Sequence, residues 1–231
     1  MKVETSLSRQ RKLRNILFSF VPTIIFAVVL FTTSGSISWL WGWVVIVVIL
    51  IGNILNILFI SPELMDERIG IKCGSQGYDI LLAIIVGRLG PLSVIITAGL
   101  DYRFGWSLPF PTILNVLGLV LLILGFTLVF LAMRENKFFS SVIRIQKERN
   151  HQVISSGPYQ FIRHPGYAGA IIYLLALPLI TTSWWALIPS IITVVITIIR
   201  TSLEDNWLIR ELPGYIDYTK RVHYRILPRV W

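Results

Sequence analysis

Residues 151–167 read HQVISSGPYQFIRHPGY, a polar stretch with two His, an Arg, two Tyr and Gly/Pro turn residues between long apolar runs. A second polar patch, Arg200-Thr201-Ser202-Leu203-Glu204-Asp205, follows the next apolar run. Neither can lie in hydrocarbon without leaving backbone groups unpaired, so both are expected to line a water-accessible pocket at a membrane face. Gly157-Pro158 marks a turn, and the proline after His164 biases that histidine toward extended geometry before an apolar helix begins at Gly166. Read on composition alone, the same stretch is a loop whose Arg and His meet lipid phosphates.

Around these patches the chain is strongly apolar. Of its 231 residues 55% are hydrophobic, and its mean hydropathy is +0.72. That composition excludes an ordinary soluble domain and specifies an all-α, multi-pass transmembrane bundle. Runs able to cross a bilayer lie near residues 15–33, 37–60, 80–100 and 112–133, and two more, 166–183 and 184–200, form a tight hairpin. The first of that pair is short and contains Pro178; two full spans are expected, which makes about six in all. Residues 1–133 are then an N-terminal set of four spans, and 134–231 a catalytic region with the hairpin and an interfacial tail.

Basic residues fix the expected orientation, because cytoplasmic loops carry the excess of Lys and Arg. Six spans with both termini inside put nearly every cation on the cytoplasmic side, leaving Arg103 outside and Arg88 within a span. The net charge of +9 is explained by contact with an anionic leaflet and calls for no nucleic acid. Trp39, Trp41, Trp43, Trp106, Trp184 and Trp185 fall near the outer ends of spans, as an aromatic belt does. The basic N-terminus is read as an uncleaved first helix, kinked at Pro22. A single cysteine, Cys73, excludes an internal disulfide, and His151, His164 and His223 show no metal-ligand spacing.

Several polar positions are weighed individually. The segment 61–79 is expected as a cytoplasmic loop opening with a short interfacial helix over 62–69. Arg88 either holds an anionic head group, pairs with a carbonyl freed by Pro91, or snorkels. Asp101 and Arg103 are expected to pair at the outer interface. Arg200 and Glu204, four apart, share one helix face; with Arg preceding Glu, separate partners are favoured over a mutual bridge.

The arrangement GPYxxxRHPxYxG over 157–169, followed by R-x-x-x-E-D at 200–205 and PGYxxY at 213–218, resembles the isoprenylcysteine carboxyl methyltransferase and phospholipid methyltransferase family of integral membrane enzymes. The likeness runs from Asn136 to Pro228, with a weaker echo at 62–68. It implies an S-adenosyl-L-methionine-dependent methyltransferase with a cytosolic cofactor pocket formed by the C-terminal half and a lipophilic acceptor, such as the carboxylate of a prenylcysteine or another isoprenoid or lipid. Cofactor contacts carried over by the resemblance fall on Gln146, His151, Gln152, Val153, Ile154, Tyr159, His164, Pro165, Gly166, Tyr167 and Glu204. Arg200 takes the role of holding the acceptor's polar end, so Arg200 and Glu204 form the catalytic pair; Arg88 is a further substrate contact on its own reading as a head-group ligand, not by the resemblance. Arg163 and Asp205 are supporting residues. The sequence has Glu204-Asp205 where the family usually has Glu-Glu, and the shorter second acid alters its reach. The tail from Pro213 to Pro228 is expected to pack over the pocket.

The competing readings are an NADPH-dependent membrane reductase of the sterol-reductase type, which shares an RHPxYxG-like segment, and a non-catalytic lipid-binding protein. Ala170, where many reductases carry an acid, and the R-x-x-x-E-D helix weigh for the methyltransferase. The implied partners are the bilayer and a lipophilic or lipidated substrate, in the plasma membrane of a prokaryote or the endoplasmic reticulum of a eukaryote. The oligomeric state is not written in the sequence.

Overall fold

In the computed structural model, residues 2–68, 76–108 and 111–231 are described, with residues 2–16 and 18 described as helix only. The elements are α1 (Lys2–Ser34), α2 (Leu40–Phe59), α3 (Pro62–Glu67), α4 (Gly77–Ile84), a π-helical turn (Ile85–Leu89), α5 (Gly90–Phe104), α6 (Thr112–Glu135), α7 (Pro165–Ile180), α8 (Leu187–Glu211) and α9 (Tyr215–Arg221), with 3₁₀ turns at Lys147–Arg149 and Gly157–Gln160. No strand occurs among the described residues. Cys73 and the cations Lys2, Arg9, Arg11, Lys12, Arg14 and Lys72 have no described side-chain placement.

Four helical stretches are long and apolar enough to cross a membrane: Leu40–Phe59, Gly77–Phe104, Thr112–Glu135 and Leu187–Glu211. Ser19–Ser34 and Pro165–Ile180 are shorter apolar helices. At 1.5 Å per residue, the 16 residues of α7 reach only about 24 Å, less than the hydrocarbon thickness. The second half of the chain thus supplies one long helix and one short one to the bundle, because the polar segment before Pro165 replaces a turn of α7. The bundle carries its apolar side chains outward, as lipid solvent requires: Ile24, Ile51, Leu58, Ile113, Leu124, Ile188, Ile192 and Ile199 are all exposed. Inside, Leu30, Val45, Val94, Ile95, Leu122, Leu177 and Ile180 form the main buried cluster.

Where apolar burial supplies little driving force, close backbone approach does the work. Helices α6 and α7 pack along their length, and they meet at two glycines. A Cβ on Gly125 would stand 2.7 Å from the Tyr173 amide nitrogen, and one on Gly169 would stand 2.6 Å from the Gly125 carbonyl oxygen. Asn115 donates from Nδ2 to the Ile180 carbonyl at 3.0 Å, which satisfies an end group that α7 leaves open. This helix pair joins residues on both sides of position 133.

One end of the bundle gathers the tryptophans. Trp39 stacks on Tyr102 with ring centroids 4.4 Å apart, and Trp43 donates its indole N–H to the Ile37 carbonyl at 2.7 Å. Asp101 does not pair with Arg103. Its carboxylate is buried and accepts from the Ser107 amide at 2.7 Å and from the hydroxyls of Ser107 and Ser183, each at 2.5 Å. Burial decides this, since a carboxylate enclosed between two turns needs donors on all sides. The turn after α5 is thereby tied to the turn between α7 and α8.

At the opposite end lie the polar segments. The expected connection over 61–79 is shorter than read from the sequence, because α4 already begins at Gly77 and takes Asp79 into its first turn. Helix α3 is capped by Ser61, whose Oγ accepts from the Leu64 amide at 3.3 Å, with proline at its first position.

Candidate active site

Asp205 is the hub of this end. Fully buried, it accepts from Arg163 Nε and Nη2 at 2.8 Å each, from Arg225 Nε at 2.8 Å and from the Tyr215 hydroxyl at 2.9 Å. His164 Nε2 lies 3.0 Å from the same carboxylate. Arg163 also donates from Nη1 to the carbonyls of Val222 at 2.9 Å and His223 at 2.7 Å. The amides of Arg163 and His164 bond to the Tyr224 and Arg225 carbonyls, each at 2.9 Å. Asp205 on α8 therefore joins the 151–167 segment to the C-terminal tail, which packs Leu212, Tyr215, Tyr218 and Val222 against Val153 and Ile145. Burial works against the Arg163 charge, but the bonds to Asp205 outweigh it and its pKa is raised. Burial, and then the Asp205 charge, raise the Tyr215 hydroxyl strongly, so it stays a donor.

A second pair of polar contacts lies beside this hub. The Tyr167 hydroxyl donates to Glu204 Oε2 at 2.5 Å. Arg200 and Glu204 do not bridge one another. Arg200 forms a two-point pair with Asp79, Nε to Oδ1 at 2.6 Å and Nη2 to Oδ2 at 3.0 Å, and Nη2 also donates to the Ser141 carbonyl at 2.7 Å. Its guanidinium lies 5.5 Å from the Tyr167 ring centre. Asp79 in turn accepts from the Ile143 amide at 2.6 Å. A buried arginine in a span needs such a partner, and the fork it gives to Asp79 leaves Nη1 as its open end.

These residues surround one cavity of about 630 Å³, within the size range of small-molecule sites. His151, Gln152, Val153, Ile154, Tyr159, His164, Gly166, Tyr167, Arg200, Glu204 and Arg88 all line it. Gln146 and Pro165 do not. Gln146 is fully buried and its amide is spent inside its own loop: Nε2 donates to the Phe138 carbonyl at 2.8 Å, and Oε1 accepts from Arg149 Nη1 at 2.7 Å. Pro165 opens α7. Both act on the cavity through the loop they shape.

Along 152–155 the backbone N–H groups bond to no other part of the described chain, although His151, Val153 and Ile154 are part-buried. Buried amides rarely stay unpaired, so this strand-like edge is suited to a planar heterocycle. His151 stacks on Phe138 at 4.4 Å, and its Nδ1 accepts from the Gln146 amide at 3.3 Å. Burial, with the charges of Arg144 and Arg149, lowers its pKa from 6.5 to about 4, which fixes the neutral ring. Burial raises the Tyr159 hydroxyl, which accepts from Asn136 Nδ2 at 3.2 Å.

Arg88 lies in the π-helical turn, a rare geometry often found at functional sites. It is exposed and shows no hydrogen bond or ion pair among the described residues, so pairing with a carbonyl freed by Pro91 does not occur. The π turn instead satisfies Ile85, whose carbonyl accepts from the Gly90 amide. An unpaired arginine within a span costs about 2.5–3.5 kcal/mol on insertion scales.

Residues 113–212 match the phospholipid methyltransferase family. The matched stretch covers less than half of the chain. It takes in nearly all of α6, the whole of α7 and α8, and every cofactor position that the resemblance implies, while the tail that Asp205 clamps lies beyond it. The chain is also similar to a probable protein-S-isoprenylcysteine O-methyltransferase of Oryza sativa subsp. indica, 30% identical over 118 residues, which covers 47% of this chain and 59% of the rice protein. A protein of the same description from subsp. japonica gives the same values. Similarity to protein-S-isoprenylcysteine O-methyltransferase B of Arabidopsis thaliana is 37% over 57 residues, 24% of this chain and 29% of the plant protein. Matches to these relatives thus span well under two thirds of their length.

Asp79, Asn56 and Arg68 were not singled out from the sequence. Asp79 had a usable signal, a lone acid at the start of an apolar run, which needs a cation at depth. Asn56, with Asn53 three residues before it in α2, was a polar pair on one face of a span.

Proposed function

We propose that this chain is an integral membrane methyltransferase that uses S-adenosyl-L-methionine and acts on a lipophilic acceptor, with its cavity opening to the cytosol. One observation carries the reading: the 151–167 segment and the Arg200–Asp205 segment, far apart in sequence, close on one cavity. Gln152, Val153 and Ile154, whose amides have no partner among the described residues, line it, and Glu204 has one carboxylate oxygen left beside the one that Tyr167 bonds. That donor and acceptor set fits the cofactor, with Gln152 to Ile154 for the adenine and Glu204 for a hydroxyl or ammonium group.

When bound, S-adenosyl-L-methionine supplies a methyl group on a sulfonium. The chain's part is positioning and electrostatics. Asp79 and the Ser141 carbonyl hold Arg200 so that Nη1 can orient the acceptor's polar end. Tyr167 fixes Glu204 by its 2.5 Å bond. The tail, bound through Asp205, excludes water from the loop side. His164, held at Nε2 by Asp205, has Nδ1 free for a ligand. The relatives' names point to a prenylcysteine carboxylate as one acceptor class.

Membranes containing the protein, incubated with methyl-labelled donor and a total lipid extract, should yield a labelled organic-soluble product. Glu204→Ala should abolish it. No transfer from wild-type membranes, with binding of NADPH by the purified protein, would replace this reading with the reductase one.

A further inference from the structure

Five arginines line the cavity: Arg68, Arg88, Arg144, Arg163 and Arg200. Three are matched to buried carboxylates: Arg144 to Glu67 at 2.8 Å, Arg163 to Asp205 at 2.8 Å and Arg200 to Asp79 at 2.6 Å. Among the described residues Arg68 and Arg88 have no such partner, and Glu204 is the only acidic side chain in the lining. The lining therefore holds an excess of positive charge.

Arg68 is placed for a ligand rather than for solvent. It ends α3 beside Glu67, which Arg144 and the Ser140 hydroxyl anchor at 2.8 and 3.0 Å. Its carbonyl accepts from the Ser141 hydroxyl at 3.0 Å, and its guanidinium lies 5.1 Å from the Phe139 ring centre. The backbone is thus fixed on both sides while the N–H groups of the fork stay open. Burial pushes its pKa down, so an anion beside it would offset the cost of burying its charge.

Asn56 Oδ1 is a buried acceptor without a hydrogen-bond partner among the described residues, and Asn56 lines the same cavity. Helices α2 and α4 both contribute to the lining without packing closely on each other. Leu81, Ile84 and Leu89, on and just after α4, carry exposed apolar side chains, a surface that a lipid tail would meet. Arg68, Arg88 and Asn56 all lie outside residues 113–212, so the family match does not account for them.

We infer that Arg68 and Arg88 bind the anionic head group of a lipid-borne acceptor, with Asn56 Oδ1 accepting from an N–H or O–H of that same head group. The subsite rests on the methyltransferase reading for its role as acceptor site, and not for its existence. Two open guanidinium forks suit phosphate or carboxylate oxygens. A cationic sulfonium donor makes the need for an anion greater still.

The test uses delipidated full-length protein in detergent, titrated calorimetrically with dioctanoyl phosphatidylglycerol, N-acetyl-S-farnesylcysteine, their uncharged counterparts dioctanoylglycerol and the farnesylcysteine methyl ester, and inorganic phosphate. At least one anionic amphiphile should bind about tenfold or more tighter than its neutral counterpart, the worth of one charge-assisted pair. Which of the two does so identifies the head group. Arg68→Gln and Arg88→Gln should each erase the preference, with Lys at either position restoring part of it, and inorganic phosphate should bind far more weakly than the lipid. Equal affinity for charged and neutral amphiphiles, a preference that survives both Gln substitutions, or phosphate binding as tightly as lipid would overturn the proposal. The melting temperature in detergent checks the fold of each variant, and S-adenosylhomocysteine binding is measured on the same preparations. That binding separates the two readings, since anion preference without cofactor binding would keep the subsite and remove the methyltransferase.

Discussion

Asp205→Asn tests the clamp at the centre of the site. The side chain keeps its size, but one of its two oxygens becomes an NH₂ donor facing donors. On one oxygen Arg163 Nε, His164 and Tyr215 converge; on the other, Arg163 Nη2 and Arg225. Whichever way the amide turns, at least two of these donors lose their acceptor, and Arg163 is left buried without a counter-charge. Removing one partner of a buried pair costs about 3–5 kcal/mol, or roughly a hundredfold to a few thousandfold in the population of the open tail. Limited trypsinolysis after Arg225 reads that population directly when reclosing is fast. The cleavage rate should rise at least about a hundredfold, and S-adenosylhomocysteine affinity should fall with it. Asp217→Asn, which removes an exposed contact with Lys220 at 2.8 Å, should change neither. A cleavage rate in Asp205→Asn equal to wild type would refute the clamp.

Other outcomes follow from the same geometry. Asp79→Asn leaves the Arg200 guanidinium half-paired in a span, so the acceptor's KM should rise at least tenfold while S-adenosylhomocysteine affinity stays within about twofold; equal loss of both would show that Arg200 serves the cofactor instead. His151 is neutral in the folded loop, with a pKa lowered from 6.5 to about 4. Since the unfolded loop binds the extra proton, its contribution is complete above pH 6.5 and is lost as pH falls toward 4. Cofactor affinity should drop across that window in wild type, and His151→Gln should flatten the drop. Gly125→Val places a branched side chain where a Cβ already stands 2.7 Å from the Tyr173 nitrogen. It should lower the melting temperature in detergent by several degrees, for a cost of about 1–3 kcal/mol; an unchanged melting temperature would mean that α6 and α7 do not meet there.

The helices were legible because bilayer solvent imposes its pattern on every long run. The ends of α2 and α6 lie within a few residues of the runs read at 37–60 and 112–133. The region 151–167 was legible as a site for the same reason, since polarity amid hydrocarbon must have a use. Partners were less legible. Asp79 and Arg200 stand 121 positions apart, and nothing local to either names the other. Asp101 illustrates the opposite error: Arg103 two residues away is the obvious partner in one dimension, but side chains two apart on a helix do not face each other. Asp205 was read as a secondary acid by its adjacency to Glu204, whereas a helix turns neighbouring residues some 100° apart. One therefore points into the protein hub and the other toward the cavity.

The most direct measurement of the central claim is calorimetric titration of purified protein with S-adenosylhomocysteine, run on wild type and Glu204→Ala, with amide exchange followed across 151–167 and 200–205. Saturable binding in wild type, protection in both segments together, and loss of binding in Glu204→Ala are the predicted results. Protection confined to one segment, or full affinity in Glu204→Ala, would contradict the account.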